Sequence, residues 1–327
     1  MADVRDLVAL CKGKRVFIQT HNFPDPDAIG AAFGLKKLLE HYGVSSTLCY
    51  DGRIDKLSTS RMLETLGIQM LSGHELSGVL RESDCIICVD SQKYGGNITD
   101  FAGEEIAAID HHPTYVEVEY RYADIRQVGA CSTIIAEYFM DCDLTPDAAT
   151  ATALLYGLKM DTLNFTRGVT MEDIKAFSFL LPLSDVETTA QLENNQLEFR
   201  DLRAYGAAIE NIKVEGFTGF SRIPFSCPNA MIAILSDFIL SLVEVEVAVI
   251  YCAREDGLKF SVRSERKDID AGKLTRLALD GIGDGGGHAT MAGGQIPVTK
   301  LAQLGADQDG TIRERFMQAI GHLRGNA

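Results

Sequence analysis

A strand-like run, a histidine with two aspartates, and a helix-like run follow one another near the start of this chain. Residues 15–20 are mostly apolar and β-branched, which predicts a buried strand, and residues 31–40 have apolar side chains at helical spacing. His21, Asp25 and Asp27 lie between them, in the loop that opens the helix. Ligands of open α/β sheets bind at the carboxyl ends of strands. The segment therefore predicts an α/β fold with a polar site at the sheet edge.

These three side chains offer one imidazole and two carboxylates. That mixture suits Mn²⁺ or a similar divalent ion, and Pro24 and Pro26 stiffen the loop that carries it. An aspartate after a strand can equally be a helix cap or a loop residue. The metal hypothesis therefore depends on further ligands elsewhere in the chain.

Two more strand-like segments end in side chains that can bind a metal. One ends at Asp90, and the other ends at Asp110 and is followed by His111 and His112. Strand-like and helix-like segments alternate through this half of the chain, which predicts a mainly parallel sheet flanked by helices. The carboxyl ends of its strands can meet at one edge. The side chains that follow these two strands are therefore expected to lie close to the histidine and aspartates of the first segment.

A fourth acid follows an apolar helix-like segment at residues 148–158. Asp161 by itself is no more than a loop or helix-end acid. The helix dipole disfavours a carboxylate at a helix C-terminus unless a cation offsets it. Asp161 therefore adds a weaker indication of a metal.

The second half of the chain predicts a smaller α/β domain that contains a glycine cluster. Gly285, Gly286 and Gly287 precede His288, and Arg263 belongs to the same half. A G-x-G-x-x-G pattern overlaps the cluster, but a helix precedes it where a dinucleotide site requires a strand. Clustered glycines let backbone amides approach an anion, although they also form flexible turns. The neighbouring histidine and arginine favour a phosphate or nucleotide contact.

The length of 327 residues allows two domains. We expect a catalytic domain over residues 1–184, a linker helix or hinge over 185–205, and a substrate domain over 206–327. The net charge of −15 argues against a protein that coats long duplex nucleic acid. No apolar run is long enough for a membrane span and the N-terminus does not resemble a signal peptide, so a cytoplasmic location is expected.

One cysteine pair could suggest zinc or redox chemistry. Cys85 and Cys88 form a C-x-x-C pattern, but they lie inside a predicted strand. Residues three apart in a strand point to opposite faces, so two buried core thiols are the preferred interpretation.

In order and spacing, the four segments resemble the DHH phosphoesterase family. The matching residues of the first half are His21-x-x-x-Asp25-x-Asp27, Asp90, Asp110-His111-His112, and Asp161. The second half resembles that family's associated substrate domain, of the DHHA1 type. The resemblance covers nearly the whole chain, and it is strongest to the small branch of oligoribonucleases and 3′-phosphoadenosine 5′-phosphate phosphatases.

The resemblance implies two Mn²⁺ ions, with Mg²⁺ or Co²⁺ as alternatives. His21, Asp25 and Asp90 would hold one ion. The second would be held by Asp27, Asp90, His111 and Asp161, with Asp90 bridging.

The resemblance also implies roles for the other site residues. His112 would face the substrate and Asp110 would orient a neighbouring histidine. From the second domain, substrate contacts would come from Arg263, Gly285, Gly286, Gly287 and His288. The active site would then lie in the cleft between the domains.

The implied function is metal-dependent hydrolysis of short single-stranded oligonucleotides or small nucleotide phosphates. These substrates include linear dinucleotides and 3′-phosphoadenosine 5′-phosphate. One alternative is a pyrophosphatase or exopolyphosphatase-like hydrolase, and another is a non-catalytic nucleotide sensor on the same scaffold. No membrane partner is expected, and the sequence leaves open whether the chain forms a homodimer.

Overall fold

The computed structural model describes residues 3–54, 57–194 and 197–325. The chain divides into two compact units, Met1–Gln196 and Leu197–Ala327. This division falls inside the segment expected to link the domains, residues 185–205. The role of that segment as a hinge stays a prediction.

The first unit alternates strands and helices before ending in four helices. Its elements are α1 (Val4–Cys11), β1 (Val16–Thr20), α2 (Pro26–His41), β2 (Ser46–Tyr50), α3 (Leu57–Leu66), β3 (Leu71–Ser72), α4 (Gly73–Leu76), β4 (Cys85–Val89), β5 (Glu104–Asp110), β6 (Tyr122–Ile125), α5 (Cys131–Asp141), α6 (Ala148–Asp161), α7 (Met171–Leu180) and α8 (Val186–Asn194).

The six strands of this unit form one parallel sheet in the order β3-β2-β1-β4-β5-β6. The expected mainly parallel sheet flanked by helices is therefore confirmed. The chain leaves β1 toward β2 on one side and leaves β4 toward β5 on the other. Loops that diverge in this way open a crevice between the carboxyl ends of β1 and β4, which is where ligands bind in such sheets.

Both faces of the sheet are buried, as the apolar strand sequences require. Cys85 packs in the core on one face, and Cys88 packs in the smaller core on the other. The interpretation of this pair as buried thiols on opposite faces of a strand is thus confirmed.

Helices α2 and α6 approach each other closely through glycines. A Cβ on Gly30 would lie 2.5 Å from the carbonyl oxygen of Ala153, and one on Gly34 would lie 2.8 Å from Leu154. A Cβ on Gly157 would lie 2.9 Å from the Cα of Asp27. Only glycine allows this backbone contact, and the contact aligns the start of α2 with the end of α6.

One helical boundary differs from the sequence prediction. Helix α2 begins at Pro26 and not near residue 31, because proline is favoured in the first turn and Asp25 caps the helix. Pro26 and Asp27 are therefore helical and do not belong to the preceding loop.

The second unit begins with a short 3-10 turn, Phe199–Asp201, and contains a mixed sheet. Its further elements are α9 (Leu202–Glu210), β7 (Lys213–Glu215), β8 (Thr218–Ile223), α10 (Asn229–Leu240), β9 (Val247–Arg254), β10 (Gly257–Ser264), α11 (Ala271–Leu279), β11 (Asp284–Gly287), β12 (Met291–Pro297), a 3-10 turn (Val298–Leu304) and α12 (Gln308–Gly325).

The strands of this unit lie in the order β11-β12-β10-β9-β8-β7. β8 and β9 pair in parallel, and the other neighbours are antiparallel. Helices α11 and α12 cover one face, and α9 and α10 cover the other. The expected second α/β domain is confirmed. In the described parts of both units, none of the helices combines the length and apolar character needed to cross a bilayer.

Candidate metal centre

The loop after β1 and the first turn of α2 supply the first three groups of the site. His21 follows the strand directly. Asp25 is the N-cap of α2, and its Oδ1 accepts the backbone N–H groups of Asp27 and Ala28 at 3.1 Å each. Asp27 lies in the first turn and is fully buried. The aspartate cap considered as an alternative to a ligand is therefore real at Asp25, and the capping oxygen Oδ1 is also the one nearest His21.

Asp90 follows β4 in a strained backbone conformation. Its φ angle is +58°, in the left-handed region that side chains other than glycine rarely adopt. Its backbone N–H still bonds to the carbonyl of Ile109 on the neighbouring strand, at 2.9 Å. The sheet thus holds the strained residue in place and directs its buried carboxylate between the ends of β1 and β5. Strain of this kind concentrates at functional sites.

Two histidines present the same ring nitrogen to Asp90. His21 Nδ1 lies 2.8 Å from the carbonyl oxygen of Asn22, and His111 Nδ1 lies 3.1 Å from that of Val128. Because a carbonyl only accepts, Nδ1 carries the proton in each ring. The Nε2 lone pair of a neutral ring is then free to bind a metal.

The ligand atoms lie at the separations expected around a shared ion. His21 Nε2 is 3.5 Å from Asp90 Oδ2 and 3.9 Å from Asp25 Oδ1. His111 Nε2 is 3.2 Å from Asp90 Oδ1, 3.3 Å from Asp161 Oδ2 and 4.0 Å from Asp27 Oδ2. Two ligands that are each about 2.1 Å from one ion lie about 3–4 Å apart.

Among the described residues, three groups of ligand atoms lie close enough together to hold a metal ion. One joins Asp90, Asp110, His111 and His112, and the other two correspond closely to the sets implied by the sequence resemblance, which stay predictions. His21, Asp25 and Asp90 form one potential metal site, and Asp27, His111 and Asp161 form a second. Asp90 Oδ2 faces the first set and Oδ1 faces the second. This position suits the predicted bridge.

Asp27 also joins two distant parts of the first unit. Its two carboxylate oxygens accept the backbone N–H groups of Cys131 at 2.6 Å and Ser132 at 2.9 Å. Helix α5 has no side-chain cap of its own at Ala130, so Asp27 serves as its cap. The positive end of the α5 dipole stabilises this buried carboxylate.

Asp161 is the last residue of α6, so it lies at the negative end of that helix. Arg167 donates to its carbonyl oxygen at 2.6 Å and to Oδ1 at 3.1 Å. Oδ2 remains directed at His111. The sequence indicates that a cation should offset the Asp161 carboxylate at the C-terminus of its helix. Arg167, on the solvent side, supplies part of that positive charge.

The electrostatics show that the site favours positive charge. Burial by itself lowers the pKa of His21. Asp25 and Asp90 raise it by more than burial lowers it, so the pKa is about 11. Burial likewise opposes protonation of His111, and Asp90, Asp27 and Asp161 raise its pKa to about 10. Burial and the charges of Asp90 and Asp161 raise the pKa of Asp27 well above its usual range. Protons therefore compensate the crowded carboxylates wherever no metal does so.

One buried atom tests whether a metal would fit. When the His111 ring is neutral, the buried Asp90 Oδ1 has no hydrogen-bond partner among the described residues, because His111 Nε2, 3.2 Å away, then carries no proton. An unsatisfied buried carboxylate oxygen is costly. A cation held by Asp90, His111, Asp27 and Asp161 would satisfy it, so the donor set fits a divalent ion.

His112 is oriented by Asp110 and faces solvent. Its Nδ1 lies 2.8 Å from Asp110 Oδ1, and this contact raises the pKa of His112. Asp110 also accepts the backbone N–H groups of His111 and His112, at 2.8 and 3.2 Å. Half of the His112 side chain is exposed. The positions of both residues agree with the predicted roles, which stay predictions.

Sequence reasoning missed two residues that support these ligands. Gln92 is buried and donates to Asp110 Oδ2 at 2.8 Å. Asp173 is buried and accepts the Gly129 N–H at 3.0 and 2.9 Å, next to the Val128 carbonyl that orients His111. Gln92 could have been noticed two residues after Asp90, whereas nothing in the sequence marks Asp173.

The predicted substrate residues of the second unit do not lie together as one loop. Gly285, Gly286 and Gly287 form strand β11, and His288 lies exposed in the turn before β12. Arg263 and Gly285 line a cavity of about 610 Å³. Gly286, Gly287 and His288 do not line this cavity.

The structure corrects the expected loop conformation, since these glycines form a strand, and it supplies a packing reason for some of them, while their contact with substrate stays a prediction. A Cβ on Gly285 would lie 2.6 Å from Thr275 of helix α11. A Cβ on Gly286 would meet only Arg276, at 3.6 Å. Gly286 is therefore the open position of the cluster, and Arg276 is a neighbouring cation that sequence reasoning missed.

The first unit is thus a parallel α/β sheet with a histidine–aspartate cluster at its switch point. Residues 15–158 match the DHH family, N-terminal domain, and residues 217–314 match the DHHA1 domain. The chain is thus a DHH-family protein with a C-terminal DHHA1 domain, as its sequence motifs implied.

Relatives share both halves of the chain. The uncharacterized protein MJ1633 of Methanocaldococcus jannaschii is 27% identical over 94% of this chain and 64% of its own length. The cyclic-di-AMP phosphodiesterase GdpP of Geobacillus thermodenitrificans is 24% identical over 90% of this chain and 46% of its own length. The chain therefore spans less than two thirds of these relatives.

A solved structure shows the same fold. The crystal structure of an exopolyphosphatase-related protein from Bacteroides fragilis superposes with a TM-score of 0.77 at 20% identity. The match covers 99% of this chain and 96% of that protein.

Proposed function

We propose that this protein is a metal-dependent phosphoesterase that hydrolyses short oligonucleotides or small nucleotide phosphates. The supporting observation is the convergence of two histidines and three aspartates on the buried carboxylate of Asp90, whose Oδ1 is unsatisfied. Their oxygen and imidazole donors, without a thiolate, suit Mn²⁺. Two such ions would activate a water molecule and neutralise phosphoryl oxygens.

The protein's own groups would position the reacting parts. His21 and Asp25 would hold one ion, and Asp27, His111 and Asp161 would hold the other, with Asp90 between them. His112 is exposed, and its contact with Asp110 favours the protonated ring. It can therefore donate a hydrogen bond to a phosphoryl oxygen as negative charge develops there.

The second unit supports a nucleotide over pyrophosphate. The two cations that line its large cavity are already paired, Arg263 with Asp237 at 2.6 Å and Lys259 with Asp256 at 3.5 Å. A small, highly charged substrate would need unpaired cations. The rest of the cavity lining is largely uncharged and includes Asn229, Ala233 and the glycines of β12, which suits the uncharged base and sugar of a nucleotide. The predicted cleft between the domains and the contact with His288 belong to this proposal.

A panel of substrates tests the proposal. Short oligoribonucleotides, 3′-phosphoadenosine 5′-phosphate, linear and cyclic dinucleotides, and pyrophosphate are incubated with Mn²⁺ or with a chelator. We expect turnover of at least one nucleotide, lost on chelation and restored by Mn²⁺. Turnover of pyrophosphate alone would favour the pyrophosphatase alternative, and nucleotide binding without turnover would favour the sensor.

A further inference from the structure

An exposed aromatic ring lies between two of the metal-ligand residues. Phe23 follows His21 and precedes Asp25, and 58% of its surface is exposed. Its φ angle is +60°, in the left-handed region that a phenylalanine rarely adopts. Neither exposure of the ring nor this backbone strain helps the chain to fold. Strain retained next to a ligand set is a reason to look for a function.

The loop that carries Phe23 is held rigidly. Asn22 donates its backbone N–H to Asn97 at 2.6 Å, and Phe23 donates its own to Asp51 at 3.2 Å. The Asn22 side chain exchanges two hydrogen bonds with Thr99, at 3.0 and 3.2 Å. The ring is therefore presented to solvent in one place, at little further cost in conformational entropy when something binds to it.

The backbone of Gly52 supports the ring. A Cβ at Gly52 would lie 3.1–3.2 Å from three atoms of the Phe23 ring. Gly52 also has a φ angle of +78°, so glycine is required there for two reasons. The turn that follows β2 thus forms a seat on which the ring packs while much of its surface stays free.

The Phe23 ring and His112 lie on different sides of the metal centre. Gly52 follows β2, which neighbours β1, whereas His111 and His112 follow β5, which lies beyond β4 on the other side. A phosphoryl group bound between β1 and β4 would have His112 toward β5 and Phe23 toward β2. Metal ions at this centre would contact only the phosphoryl group, so the exposed Phe23 ring on the β2 side is available to another part of the substrate.

We infer that Phe23 is a stacking platform for the nucleobase adjacent to the scissile phosphate. This inference rests on the proposed function and adds a base-binding subsite in the first unit. Aromatic rings stack on any base, so the subsite would select nucleotides over inorganic phosphates without selecting one sequence. Pyrophosphate could not use it.

Four variants and three substrates test the platform. Phe23→Asn removes the ring and introduces a residue that tolerates the left-handed conformation, whereas Phe23→Tyr keeps an aromatic ring. Gly52→Ala would displace the ring without changing it. Tyr94→Ala is the matched control, because Tyr94 is also exposed (61%) and left-handed (φ +64°) but lies in the loop after β4. The substrates are a dinucleotide and its analogues with either base replaced by hydrogen.

We expect Phe23→Asn to lower kcat/KM for the intact dinucleotide by about 5- to 100-fold. For one of the two abasic analogues the loss should be under about 2-fold, since the ring then has no base to stack on. Phe23→Tyr and Tyr94→Ala should remain within about 2-fold of the wild type, and Gly52→Ala should resemble Phe23→Asn. The thermal midpoint of Phe23→Asn should be unchanged or higher, because it relieves strain, which excludes a folding defect as the cause.

Different outcomes separate the two proposals. Equal losses on intact and abasic substrates, or no loss, would overturn the platform while the proposed function stands. A loss confined to Tyr94→Ala would place base binding near β4 and also overturn it. Absence of nucleotide turnover in the wild type would overturn both.

Discussion

A methyl group added at Gly157 should separate helices α2 and α6 and so disturb the metal centre. In Gly157→Ala the new Cβ would lie 2.6 Å from Ser132 Oγ, 2.9 Å from Asp27 Cα and 3.0 Å from the Pro26 carbonyl oxygen. The serine can rotate away, but the two backbone atoms cannot. Helix α6 must therefore move outward by several tenths of an ångström.

Two opposing effects set the magnitude of the stability change. Overpacking of this kind costs about 1–3 kcal/mol, and replacing a helical glycine with alanine returns up to about 1 kcal/mol. We expect a net loss of about 1–2 kcal/mol in the free energy of unfolding. The larger effect concerns function, because Asp161 lies one helical turn after Gly157 and Asp27 lies at the contact itself. Displacing these two ligands should weaken Mn²⁺ binding by about 10- to 100-fold.

Denaturant unfolding of the chelated protein and calorimetric titration with Mn²⁺ measure the two effects separately. Gly206→Ala is the matched control, because Gly206 lies within helix α9 and a Cβ there meets no described atom within 4 Å. The free energy of unfolding of Gly206→Ala should be higher than that of the wild type by about 0.4–1 kcal/mol, and its affinity for Mn²⁺ should be unchanged. If Gly157→Ala were as stable as Gly206→Ala and bound Mn²⁺ with unchanged affinity, the close contact would not be what positions the ligands.

Three further predictions concern the site. Asp90→Ala should abolish turnover and preserve the fold, as measured by kcat and circular dichroism, and a loss under about tenfold would contradict the bridging role. His288→Ala should leave the metal content from elemental analysis unchanged and lower kcat/KM more for nucleotides than for a small phosphodiester, so loss of a metal ion would be contrary evidence. In the metal-free protein, His21 and His111 have pKa values raised from 6.5 to about 11 and about 10. Their contribution to stability is complete below pH 6.5 and is lost as the pH rises through those raised values, so the increase in thermal midpoint caused by Mn²⁺ should grow between about pH 6.5 and about pH 8.5. A pH-independent increase would show that these histidines do not release protons to the metal.

The sequence by itself determined the parallel sheet and the segments that carry ligands. Strands β1, β4 and β5 are central strands, so their apolar runs are visible without any structure. Asp90 and His111 directly follow two of these runs, and parallel strands bring such ends to one edge. The residue types then indicate a divalent metal, because the local pattern and the chemistry of the donor groups can both be derived from the amino-acid sequence alone.

Contacts between distant segments were decided only by the tertiary structure. The cap that Asp27 provides to α5, the glycine contact at Gly157 and the support from Asp173 each join parts of the chain with no shared local pattern. The sequence predicts a loop at the glycines before His288, but β12 pairs with them and makes them a strand. Backbone pairing and close packing depend on which segment lies alongside, and only the folded chain specifies that neighbour.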